Sequence, residues 1–142
     1  MITQFLEETS SSLREIFLST PKFVQFLFSI RHIWWGTGAF FFNFHFTLNY
    51  LDYLSQFPYS FCSLVFGFIG LIGVVRGKYM LEMAFAIFNL LLFSLIALTF
   101  LRYDPRSMSS INYFVEMLGS IWLVFRIQHN HAKAKRLQEF LG

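Results

Sequence analysis

The chain has 142 residues, of which 56% are hydrophobic and only 13% charged, and it carries a net charge of +3. Soluble domains hold about 25% charged residues, so a water-facing fold of this length would lack the ions to cover its surface and would expose apolar patches that drive association. The single cysteine, Cys62, excludes an intrachain disulfide and a cysteine-rich zinc site, and in its hydrophobic surroundings it reads as a small buried hydrophobe.

The opening stretch, MITQFLEETSSSLREIF, begins with acids rather than bases and is neither a secretory signal nor an Arg-rich transit peptide. The first membrane helix is expected to act as an uncleaved targeting signal. Ile2, Phe5, Leu6, Leu13, Ile16 and Phe17 recur at roughly helical spacing among Glu7, Glu8, Arg14 and Glu15. PKFVQFLFSI follows, apolar but too short to span. Residues 1–31 are therefore expected to form an N-terminal amphipathic segment that lies along the membrane interface or against a partner helix.

Gaps in charge divide the rest. Residues 32–51 and 53–75 contain no Asp, Glu, Lys or Arg, residues 79–101 contain only Glu82, and residues 107–125 only Glu116. Each gap approaches the roughly 20 residues that cross a hydrocarbon core of about 30 Å. A spanning segment of that length must satisfy its backbone internally and is therefore helical. The expected fold is an all-α integral membrane protein, with residues 32–127 forming a four-transmembrane-helix bundle with helices at about 33–51, 57–75, 79–101 and 108–126.

The connections are short. Pro58 suits the first turn of the second helix, Gly77 in the RGK turn can take a positive φ, and Pro105 stops the third helix. Loops this tight make consecutive helices antiparallel neighbours. With the N-terminus in the cytoplasm, that side collects Arg14, Lys22, Arg31, Arg76, Lys78, Arg126, Lys133, Lys135 and Arg136, nine of the eleven basic residues. The positive-inside rule thus favours both termini in the cytoplasm, or in the matrix or stroma of an organelle. Trp34, Trp35, Tyr79 and Trp122 fall near the expected helix ends, where aromatic belts sit. Residues 128–142 form a basic tail that sets topology or meets anionic headgroups. His129 and His131 are two apart, which separates them around a helix and argues against a shared metal.

Polar residues inside the spans define the candidate site. His45, Asn49 and Asp52 share a helical face, as do Glu82, Ala86 and Asn89, and Asn112, Glu116 and Gly119. The second helix offers small residues instead, Ser63, Gly67, Gly70 and Gly73, which allow close backbone approach in lipid. With a rise of about 1.5 Å per residue, His45, Asn89 and Glu116 reach similar depths. The expectation is an intramembrane polar cluster of His45, Asn49, Asn89, Asn112 and Glu116, in which Glu116 pairs with His45 and Asn89 donates to them. Ser63, Gly67, Gly70, Gly73 and Gly119 are the expected helix-packing positions.

No nucleotide-binding loop, HExxH, GxSxG or carboxylate cluster with metal spacing occurs, so no catalytic residue, metal or cofactor is assigned. Topology accounts for the basic balance, which leaves nucleic-acid binding without support. The expected function is that of a non-enzymatic accessory or structural subunit of a larger membrane complex, with the bilayer and other integral membrane subunits as partners. Two rivals are a small oligomeric proton or ion channel or transporter that uses His45 and Glu116, and a membrane-perturbing or immunity-type protein of a virus, phage or plasmid.

Overall fold

The structure, a computed structural model, describes residues 19–43 and 48–141. These residues are helical almost throughout. Four α-helices follow one another: α1 Thr20–Phe42, α2 Tyr59–Arg76, α3 Tyr79–Tyr103 and α4 Met108–Leu141, with a 3-10 helix at Asn49–Ser55 between the first two. Three of them, α2, α3 and α4, are long and apolar enough to cross a membrane.

Local chemistry fixes the ends. Pro21 stands in the first turn of α1, where its missing N–H costs nothing. Asn43 ends that helix in the left-handed region at φ 52, and its N–H returns to the Gly38 carbonyl. Gly77 does the same after α2 at φ 59, as its place in the RGK turn predicts, with its N–H on the Gly73 carbonyl. The Asp104–Ser107 turn separates α3 from α4, and the Ser110 N–H donates to Ser107 Oγ at 3.1 Å to cap the new helix.

The first helix differs from expectation. It runs from Thr20 to Phe42 rather than over 33–51, so residues 20–31 belong to the same continuous helix as residues 32–42. Asn49 does not lie on an intramembrane helix. It opens the 3-10 helix and is exposed. This short helix folds over one end of the bundle and buries Leu51 and Leu54 against Phe93, Ile96 and Phe100. Trp34 and Trp35 are also displaced, since they lie well inside α1 rather than at its end. Of the amphipathic segment expected at residues 1–31, residues 1–18 lie outside the described residues.

The four helices run up, down, up, down. Gly36 approaches Leu64 and Gly67 approaches Ile33, which sets α1 and α2 antiparallel. Gln25 reaches the Glu82 carbonyl and His32 reaches Asn89, which sets α1 and α3 parallel. α2 also packs on α3, and α3 on α4, whereas α1 and α4 barely meet. Three of the helices each turn one apolar stripe outward: Leu27, Ile30, Trp34 and Phe41 on α1; Phe61, Val65, Phe68 and Ile72 on α2; Ile87, Leu91, Leu95 and Leu98 on α3. Buried positions include Gln25, Ser29, His32, Ser60, Ser63, Asn89, Ser110 and Ser120. In water the reverse arrangement is favoured. Polar groups inside and large apolar groups outside match a hydrocarbon surrounding.

Candidate functional site

Halfway along the bundle a polar layer separates two apolar ones. On one side lie Ala86, Leu123 and Ile127, and on the other Leu51, Leu54, Phe93, Ile96 and Phe100. In the layer itself, His32 Nε2 donates to Asn89 Oδ1 at 2.7 Å, and Asn89 Nδ2 donates to Ser120 Oγ at 2.7 Å. Ser120 Oγ in turn donates to the Glu116 main-chain carbonyl at 2.8 Å. One side chain each from α1, α3 and α4 is joined in a single line. Interhelical hydrogen bonds of this kind contribute about 0.6–2 kcal/mol each in lipid, so they fix rotation and height more than they hold the helices together. The rings of Phe85 and Phe88 approach His32 edge-on, each with its centroid 5.6 Å away. Ser29, one turn before His32, turns its hydroxyl back to the Gln25 carbonyl at 2.8 Å, while the Gln25 amide makes a long 3.5 Å contact with the Glu82 carbonyl.

Beside this line lies an ion pair. Arg31 Nη1 donates to Glu116 Oε1, and the guanidinium stacks over Phe93 at 5.2 Å and Tyr113 at 5.9 Å from the ring centroids. The side chains are 44% and 27% exposed, and Glu116 Oε2 is buried without a hydrogen-bond partner among the described residues. Arg31, His32, Trp35, Leu54, Phe93 and Tyr113 border a half-open cleft of about 80 Å³.

The expected cluster is only partly assembled. Asn89 and Glu116 do face the interior region, but they take different partners: Asn89 binds His32 and Ser120, and Glu116 binds Arg31. Asn112 is exposed. His45 lies outside the described residues, and the one carboxylate oxygen of Glu116 that makes a hydrogen bond is engaged by Arg31 instead. The hydrogen-bonded line from His32 ends on a main-chain carbonyl, so among the described residues no direct hydrogen bond joins the imidazole to the Glu116 carboxylate. No group of three or more His, Cys, Asp or Glu suited to a metal occurs among the described residues.

The packing positions divide as well. A Cβ on Gly67 would stand 2.8 Å from the Ile33 amide nitrogen, one on Gly70 2.5 Å from Ser29 Oγ, and one on Gly73 2.8 Å from the Glu82 nitrogen. Ser63 is fully buried. These are close-approach positions, as expected. Gly119 is not, because a Cβ there would meet nothing within 4 Å. Gly36, which is not among the expected positions, is tighter than Gly67 or Gly73, 2.6 Å from the Leu64 nitrogen.

Arg31, His32 and Ser120 are the site residues that charge counting missed. A signal for them existed. Gln25, Ser29, His32 and Gly36 recur at helical spacing and form the buried face of α1. Reading Arg31 as the water-facing end of a span cut that stripe in two.

The fold and site define an all-helical protein of the integral membrane type, with three helices able to span and polar residues turned inward. No protein-family model matches the chain, and neither the curated proteins nor the solved structures give a significant match.

Proposed function

We propose that the protein is a non-enzymatic subunit of a larger membrane complex, with all four helices crossing the bilayer and both termini on the cytoplasmic, matrix or stromal side. The observation that carries this reading is α4. Its 34 residues extend about 51 Å at 1.5 Å per residue, far beyond the bilayer core. Every residue from Gln128 to Leu141 is exposed, including Leu137, Phe140 and Leu141. An isolated helix as short as this exposed stretch is marginal in water, and its apolar side chains gain by being covered. The bundle thus fixes its own helices through the inner polar layer and presents a long uncovered helix to a partner.

The fourth crossing rests on α1. It has 23 residues, enough for about 34 Å, and it lies in register with α2 and α3 along its length. Arg31 kept it from reading as a span. Pairing of the charge with Glu116 and its stacking over Phe93 and Tyr113 offset part of the roughly 2.5–3.5 kcal/mol that a central arginine costs on insertion scales.

Purification at native level in a mild detergent tests the reading. A complex of defined stoichiometry with other integral membrane chains is expected, and its loss when the chain is cut after Ile127 would place the contact on α4. A chain that resists carbonate extraction yet purifies with no other subunit would overturn it. Reporter tags at the two ends on opposite sides of the membrane would overturn the even number of crossings.

A further inference from the structure

Among the described residues, the charged side chains at mid-height lie on one face of the bundle. On α2 and α3 the outward stripes there are wholly apolar. At the seam between α1 and α4, by contrast, Arg31 and Glu116 form their half-exposed ion pair. Asn112 and Gly119 flank Glu116 at helical spacing on the same side of α4. Asn112 is exposed, the space beside Gly119 is empty, and Glu116 Oε2 has no partner among the described residues. The two helices of this seam also meet far less than the neighbouring pairs α1–α2, α2–α3 and α3–α4 do. A charged pair half open to hydrocarbon is costly, and such groups in membrane proteins face protein or a water-filled cavity.

We propose that this face is covered by the same face of a second copy of the chain, related by a two-fold axis along the bilayer normal. The inference rests on the reading that α1 and α4 both cross the membrane. Charge complementarity selects a second copy over another partner. Arg31 and Glu116 pair within one chain, so they sit at one depth, and a rotation about the normal preserves depth. Arg31 of each copy then meets Glu116 of the other, and four charges close into an alternating ring. A partner helix with a single charge would leave one member of the pair uncompensated. Asn112 carries both donor and acceptor in its amide, so it can bond to its own counterpart. Gly119 lets the two α4 backbones approach closely.

Cysteine cross-linking in native membranes tests the arrangement. In a Cys62→Ser background, Asn112→Cys and Gly119→Cys are each expected to give an oxidised dimer of this chain, while Phe68→Cys on the apolar face of α2 gives none. Arg31→Glu alone and Glu116→Arg alone are expected to lose the dimer. The two expressed together are expected to regain it as a mixed dimer, because neither chain can restore the pair within itself. Gly119→Leu provides a version that leaves the single chain's packing untouched and still blocks the approach. Dimer yields at 112 and 119 no higher than at 68, no recovery in the mixed experiment, or cross-links to a different chain would each overturn the proposal. If the chain is washed from membranes by carbonate, the membrane reading itself fails. If it is retained but not cross-linked, only the second copy fails.

Discussion

The α1–α2 seam and the α1–α4 seam use the same residue types with opposite results. On the first, Gly36, Gly67 and Gly70 bring two helices into backbone contact, and Ser29 fills the remaining space. On the second, Gly119 opens on nothing, and Arg31 bridges the gap through its ion pair with Glu116 and its stacking over Tyr113. Small residues permit close approach but do not cause it. In lipid, where tails are as apolar as leucine, the attraction comes from packing and from hydrogen bonds whose donors and acceptors meet at one height. The Ser29–Gly70 and Ile33–Gly67 matches supply that register on the first seam. The second seam has a charge pair at one level and unfilled space beside it.

Substitutions sharpen the contrast. The largest effect is expected for Gly67→Leu, whose side chain would collide with the backbone of Ile33. A loss of about 3 kcal/mol, or of the folded state, is expected in unfolding by sodium dodecyl sulfate followed by tryptophan fluorescence. Gly119→Leu should change that same measurement by no more than about 0.5 kcal/mol. Comparable losses for the two glycines would erase the distinction between the seams.

Asn89→Leu comes next. It removes one hydrogen bond to α1 and one to α4 and leaves His32 and Ser120 without that partner. A loss of about 1–2 kcal/mol is expected, and Ser120→Ala should cost less, about 0.6–1 kcal/mol. If Ser120→Ala costs as much as Asn89→Leu, the connection to α1 contributes nothing. Glu116→Gln should destabilise the single chain by about 1 kcal/mol or less, since both members of the pair are partly exposed. A loss well above that would mean that the ion pair, rather than the inner polar line, joins α4 to the bundle. The smallest effect on the bundle is expected when the chain ends at Ile127: the unfolding midpoint should fall only slightly, because residues 128–141 are all exposed and the stack of His131 on Tyr79 is the main contact they lose.

Much of this architecture is legible along the chain. The turn at Gly77, the break around Pro105 and the helices expected at 57–75 and 79–101 follow from charge gaps and turn chemistry, within a few residues of the observed ends, as does the start of the helix expected at 108–126, which runs on to Leu141. The close-approach role of Gly67, Gly70 and Gly73 was legible in their helical spacing. The first helix was not. Its charge gap begins after Arg31, and the helix begins eleven residues earlier, at Thr20. The polar cluster was half legible for the same reason. Asn89 and Glu116 carry the signal of isolated polar residues in apolar spans, whereas Arg31 and His32 looked like a boundary.

Composition and charge spacing alone determined that the chain is helical and built for hydrocarbon, because bilayer thickness and the cost of an unsatisfied backbone act on every span independently of its neighbours. Which polar residues face inward, which glycine is pressed against a neighbour and which stands open, and where the first helix starts were decided only by the tertiary structure. Those choices depend on partners far away in sequence: Arg31 and Glu116 are 85 residues apart, and His32 and Asn89 are 57 apart. A charge is counted as a helix end until such a partner, at the same height on another helix, gives it a place inside.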